Sequence, residues 1–182
     1  MPKKYVLRNK IVKERLKELG GDQVIEVCKI ILSKRLKKAN EFEIAEKMKL
    51  KVNKVRAILY KLHAKKVVTY TRKRDKRKGW YIYIWSLKPR DIVKFAMNET
   101  YNEIRAIERE IREYKEGKEF YICEDCGVRV RLIEAMKQMF TCNYCGEPLK
   151  KEDTESKIKQ AEARIRNLES QLYKLKKLMK EV

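Results

Sequence analysis

Apolar positions repeat along the chain in two registers, one helical and one alternating, and the order of these stretches suggests an architecture. Val24, Val27, Cys28 and Ile31 share one face of a helix predicted over Gln23–Lys34, with Asp22 as its N-cap. Asn40 is placed to cap a second helix, Glu41–Lys47, with Glu43 at the third helical position as in a capping box. A short break at 49–51 precedes a third helix, Val52–Lys65. At 100° per residue Val52, Val55, Ile58, Leu59 and Leu62 gather there into one buried arc. His63, at the edge of that arc, reads as a packing residue. Val67–Arg72 and Trp80–Leu87 alternate as strands around the tip KRDKRKG. Ile11, Val12, Leu16 and Leu19 predict one more helix in front. Helices joined by a short turn and followed by a hairpin are the order of a winged helix-turn-helix.

Two longer repeats follow. From the helix-starting Pro89, the positions Val93, Met97, Thr100, Ile104, Ile107, Ile111 and Tyr114 alternate in steps of four and three, and the pattern ends before Gly117. Ile158, Ala161, Ile165, Leu168, Leu172, Leu175, Met179 and Val182 form a second seam of the same kind. At 1.5 Å per residue each helix extends about 40 Å. Their similar lengths suggest an antiparallel pair joined by the compact segment between them; the alternative is that either seam pairs with another protein.

That segment carries the most specific chemistry. Cys123, Cys126, Cys142 and Cys145 form two C-x2-C pairs fifteen residues apart, a spacing that suits a zinc ion held by four thiolates. Gly127 and Gly146 follow the pairs and supply the backbone freedom of a tight knuckle. Four thiolates leave no coordination position for water or substrate, so such a zinc is structural. Disulfides are the competing use of these residues, disfavoured inside a cell. Val128–Ile133 and Met139–Thr141 read as the short strands of a zinc ribbon over Phe120–Leu149. The fifth cysteine, Cys28, sits in an apolar helical stretch and reads as core. The fold class is thus mainly α with small β parts. The expected domains are a winged helix over 1–88, a linker helix over 89–117, a zinc ribbon over 118–150 and a C-terminal coiled-coil helix over 151–182.

Charge changes the picture locally. The 182 residues carry a formal net charge of +21, of which +20 lies on residues 1–90. A Lys/Glu-rich thermophilic surface is the bland account, but that enrichment raises both signs together. One-sided excess favours a polyanionic partner, nucleic acid or an acidic protein surface. The third helix presents Asn53, Ala57, Tyr60, Lys61 and Ala64 on its outer face, flanked by Lys54 and Arg56, which is poor equipment for reading base edges. The cations concentrate in the wing instead: Arg72, Lys73, Arg74, Lys76, Arg77 and Lys78, followed by Trp80 and Tyr81. Such a loop touches phosphates without reading sequence, and its aromatics stack on bases or anchor in a protein pocket. A solvated loop with Trp80 packed inward is the alternative. The six glycines form no phosphate-binding loop, and no Walker motif or nucleophile elbow is present, so no enzyme is indicated. Neither a signal-peptide stretch nor a membrane-spanning run occurs, which reads as a soluble, intracellular protein.

The order of winged helix with a front helix, GWYIYIW running into PRDIVKFAMNETYNEIRAIE, and then FYICEDCGVRV and FTCNYCGEPL resembles the alpha subunit of archaeal general transcription factor E (TFE-alpha), similar to the N-terminal half of TFIIE-alpha. The resemblance covers almost the whole chain. It implies Cys123, Cys126, Cys142 and Cys145 as ligands of one zinc, and the wing from Arg72 to Trp80, with Tyr81, lying on the RNA polymerase clamp near the upstream edge of the bubble. It implies docking of the ribbon near the base of the clamp and stalk, and assistance of promoter melting with the displaced non-template strand. The implied setting is a preinitiation complex with TATA-binding protein and factor B, in the nucleoid-associated cytoplasm of an archaeon, with a beta subunit left open. From a different class, a sequence-specific repressor dimerising through a heptad seam is the second reading.

Overall fold

The computed structural model describes residues 5–34, 37–74 and 79–182, and these form two compact units. The first comprises the chain to Tyr101 together with Gln171–Val182; the second is Asn102–Ser170. Among the described residues no helix is long and apolar enough to cross a membrane.

In the first unit a 3-10 turn, Val6–Arg8, leads into α1, Lys10–Gly20. The Asn9 side chain caps α1 by accepting from the Val12 N–H at 3.2 Å. Helix α2, Asp22–Ser33, begins one residue earlier than the sequence suggests. Gly21, at φ 72°, holds the cap position, and Asp22 is the first helical residue, where its charge favours the N-terminal dipole instead of capping it. Strand β1, Lys38–Asn40, precedes α3, Glu41–Met48, whose cap is as expected: the Asn40 side chain accepts from the Glu43 N–H at 2.8 Å and donates to the Glu43 carboxylate at 3.1 Å. Helix α4, Val52–Ala64, buries Val55, Ile58, Leu59 and Leu62, with Val52 half-buried, and exposes Asn53, Ala57, Tyr60, Lys61 and Ala64. Strands β2, Val68–Arg74, and β3, Tyr81–Leu87, pair antiparallel, and β1 joins the other edge of β3, with Ala39 opposite Trp85. Nothing in Lys-Ala-Asn favours a strand; the open edge of β3 recruits it.

The core of this unit joins Leu16, Ile31, Ile44, Leu59, Leu62 and Trp85 to Ile92, Val93, Phe95 and Ala96 from the start of α5, Pro89–Lys115. Leu175 and Leu178, near the end of α7, Thr154–Glu181, complete it. Cys28 lies fully buried here, and burial pushes its thiol up to about 12, so it is an inert packing group. Glu41 is only 1% exposed; Arg56 of α4 donates to one of its carboxylate oxygens, and the other has no partner among the described residues.

In the second unit α5 and α7 run antiparallel, with Glu103 paired to Arg164 and with Tyr114 and Lys157 lining one crevice. Ile104, Ile107, Ile111, Tyr114 and Leu168 are buried. The first seam is therefore largely covered within the chain, and the second is buried at Leu168, Leu172 and Leu175 and half-buried at Ile158, Ala161 and Ile165. At the end of α7, in the first unit, the register departs from the expected one: Leu178 is buried in place of Met179, which is half-buried, and Val182 is exposed. Between these helices β5, Arg129–Arg131, and β6, Lys150–Lys151, flank β4, Phe120–Ile122, in a small antiparallel sheet. Two predicted strands are corrected. The pattern over 128–133 is a strand only to Arg131, after which Leu132–Lys137 turn into helix α6. Met139 and Phe140 are not strand: both hold left-handed φ, 50° and 54°, in a tight turn that returns Thr141 to bridge Pro148.

Two substitutions test the first unit. Asn40→Ala is expected to cost about 1 kcal/mol through loss of the cap. Arg56→Ala is expected to cost more, about 2 kcal/mol or above, because it strands a buried carboxylate. Urea unfolding followed by the fluorescence of Trp85 ranks them.

Candidate metal centre and basic wing

The two cysteine knuckles have the same backbone wiring. In the first, Gly127 N–H donates to Cys123 C=O and Cys123 N–H to Val128 C=O, both at 2.9 Å. In the second, Gly146 N–H donates to Cys142 C=O at 2.9 Å and Cys142 N–H to Glu147 C=O at 2.8 Å. Each loop closes only because its glycine adopts positive φ, 68° at Gly127 and 80° at Gly146. The four Sγ atoms lie within 4.8 Å of one another and none is joined in a disulfide. Their shortest separations, 3.3 Å for Cys123–Cys145 and for Cys126–Cys142, are far from the ~2 Å of a disulfide. They approach the ~3.8 Å edge of a tetrahedron with ~2.3 Å zinc–sulfur bonds.

The electrostatics of the cluster favour a cation. Backbone N–H groups of Tyr144 and Cys145 donate to the Cys142 sulfur and lower its thiol to about 6. Cys126 moves the other way, up to about 12, because it shares its proton with Cys142 and the remaining sulfurs. Four sulfurs this close cannot all be anionic without a positive charge among them.

A second cluster ties the ribbon to its flanking helices and had no local signal, since its members are 15 to 38 residues apart. Tyr114 of α5 donates to Glu152 at 2.7 Å; Arg129 of β5 donates to the same carboxylate at 2.8 Å and pairs with Glu110 at 3.2 Å. The Arg129 guanidinium also lies 3.8 Å from the Phe120 ring centre. Burial, and then the hydrogen bond to Glu152, push the Tyr114 hydroxyl well above the ordinary phenol value.

In the first unit, the register of the wing sorts the expected contact residues. Arg72 faces Tyr83 and Arg74 faces Tyr81 across the β2–β3 pair, so these four share one side of the ribbon with Tyr70 and Trp85. The Arg72 guanidinium is 4.3 Å from the Tyr81 ring centre. Lys73 sits opposite Ile82 on the other side. Trp80 is 53% exposed and Tyr81 50%, so Trp80 is not packed into the core. Lys76, Arg77 and Lys78 lie outside the described residues. Sequence reasoning overlooked how far the aromatic series extends: Tyr70 meets Tyr83 at 5.3 Å and Trp85 at 5.1 Å, and Tyr60 of α4 meets Trp85 at 5.8 Å. The alternation of Tyr81, Tyr83 and Trp85 along β3 was the available sign. His63 is exposed, with its ring against Tyr70 at 5.1 Å.

A winged-helix unit is thus continued by a long helix into a four-thiolate module, the order of elements of a binding protein built around a structural metal site. Comparison with known proteins narrows the class. The family described as "TFIIE alpha subunit" matches residues 10–116. Transcription factor E of Pyrococcus abyssi is 32% identical over 169 residues, which cover 91% of this chain and 86% of the relative. The same-named proteins of Metallosphaera sedula and Methanocaldococcus jannaschii are 30% and 32% identical, covering 90% and 92% of this chain and 92% and 96% of their own. The chain belongs to the TFIIE alpha family and is a homologue of archaeal transcription factor E, a family of transcription factors without catalytic activity.

The raised Tyr114 hydroxyl predicts an alkaline limit. An unfolded phenol loses its proton near pH 10, whereas the folded one keeps it, so stability present below about pH 10 drains away above it. Urea unfolding at pH 8 and pH 11 should show a larger alkaline loss for the wild-type protein than for Tyr114→Phe.

Proposed function

We propose that this protein is a basal initiation factor that binds RNA polymerase, stabilises its open clamp and assists promoter melting. The supporting observation is a contrast within the winged unit. The outer face of α4 exposes Ala57, Tyr60, Lys61 and Ala64, whereas the wing aligns Arg72, Arg74 and Tyr81 on one side and exposes Trp80. A surface of that kind holds phosphates and unstacked bases without reading a sequence. It suits the non-template strand of a bubble that the polymerase has already positioned. The factor itself needs only a higher affinity for the open-clamp state: about 1.4 kcal/mol of preference is a tenfold population shift.

Cys123, Cys126, Cys142 and Cys145 hold one structural zinc in this reading, and the metal's contribution is to cross-link two knuckles too small to fold unaided. The ribbon then offers Ile133, Met136, Met139 and Tyr144, all exposed, for docking near the polymerase clamp and stalk within a preinitiation complex containing TATA-binding protein and factor B. Either arrangement of the family, with or without a beta subunit, is compatible with this role. A repressor dimerising through a heptad seam finds less support, because Leu168, Leu172, Leu175 and Leu178 are already buried in the chain.

Metal analysis should return one zinc per chain, and Cys142→Ser or a strong chelator should remove it and release hydrogen-exchange protection over 120–151 while sparing the first unit. Arg72→Glu, Arg74→Glu and Trp80→Ala together should lower permanganate reactivity of a weak promoter about tenfold with the fold unchanged. Unaltered reactivity would count against the wing's role.

A further inference from the structure

Helix α5 in the second unit is electrostatically two-sided. Of its acids there, Glu103 pairs with Arg164, Glu110 with Arg129, and Glu113 with Arg131 and with Lys118, which also meets Glu116 just past the helix end. These pairs direct the negative charge of this stretch of α5, apart from Glu108, to α7, the ribbon and the turn after α5. The opposite side carries Arg105, Arg109 and Arg112, all exposed. Steps of four and three keep them within an arc of about 60° and an axial span of about 10 Å. Asn102 accepts from Arg105 at 2.7 Å and steadies it. Among the described residues no carboxylate pairs with Arg109 or Arg112. The side chains of Asn102, Arg105, Glu108, Arg109 and Arg112 line a shallow trough of about 440 Å³, in which Glu108 is the one opposing charge.

We infer that this arginine row is a second nucleic-acid surface, which follows the phosphate backbone of duplex DNA and is separate in function from the wing. Two observations favour DNA over an acidic protein. Protein interfaces need aromatic or aliphatic anchors at their centre; the exposed side chain of that kind nearest the row is Tyr101, a turn beyond its end and facing Lys176, whereas the ribbon of the same unit exposes Ile133, Met136 and Met139 together. The cations are also arginines in a chain whose basic residues are mostly lysine, and a planar guanidinium grips a phosphate with two parallel hydrogen bonds. A duplex presents about six phosphate charges over the length of the row, so binding demands no particular register and carries no sequence preference.

The test is the salt dependence of binding to a fluorescent 30-base-pair duplex, measured with the zinc-loaded 182-residue chain. Changing Arg105, Arg109 and Arg112 together to Gln should lower the slope of log affinity against log salt by about 2–3, at about 0.9 per lost contact. The corresponding triple Lys variant should keep most of the slope, and circular dichroism and metal content should not change in either. Unchanged slope and affinity in the Gln variant overturn the inference. So does a Gln variant that keeps its DNA slope but loses affinity for polymerase without DNA, which would assign the row to an acidic protein. Arg72→Gln with Arg74→Gln serves as the parallel arm: a slope lost there and kept in the α5 variant supports the wing and overturns the row, while the reverse supports the row and leaves the wing reading to fail by itself.

Discussion

The apolar stripe of α5 from Val93 to Tyr114 is the constraint on which both compact units depend. An exposed helix of 27 residues with such a stripe is unstable in water, so the stripe has to be covered. In the first unit Val93 joins a core with Trp85 and, from the far end of the chain, Leu175. In the second, Ile104, Ile107 and Ile111 are buried where α7 runs antiparallel beside α5. Tyr114 ends the stripe, and its hydroxyl is the point at which apolar packing gives way to the Glu152–Arg129 cluster that holds the ribbon.

Covering that stripe also disposes of the charges. Most of the acids beside it reach α7 and the ribbon, where cations meet them, and what remains outward is three arginines against Glu108. A net charge of +1 over residues 91–182 therefore conceals a local row of three cations. The winged unit works in the opposite way: its excess is visible in the composition, and the pairing of β2 with β3 decides which cations act together. Arg72 and Arg74 lie with Tyr81 and Tyr83, while Lys73 is turned to the other side.

Much of the secondary structure was legible because its cause is local. The 3.6-residue period, the Asn40 cap and the strand alternation each act within a few residues, and α3, α4, β2, β3 and α5 follow them closely. The misreadings have equally local explanations. Gly21 supplied a backbone conformation that displaced Asp22 from the cap, and Met139 and Phe140, plausible as strand, are left-handed because their N–H groups close the end of α6 on the Met136 and Ala135 carbonyls. Strand β1 exists only because β3 had an unpaired edge.

The sequence by itself determined the four-cysteine spacing, the two heptad seams and the one-sided charge of the first ninety residues, since each is a property of order along the chain. Only the tertiary structure decided that the four sulfurs converge within 4.8 Å, that the seams are largely covered inside the chain, and that Tyr114, Arg129 and Glu152 form one cluster. It alone separated the paired charges of α5 from the unpaired ones. The physical reason is that hydrogen bonds and ion pairs act over a few ångströms of space, and residues tens of positions apart in sequence enter that range only when the chain has folded.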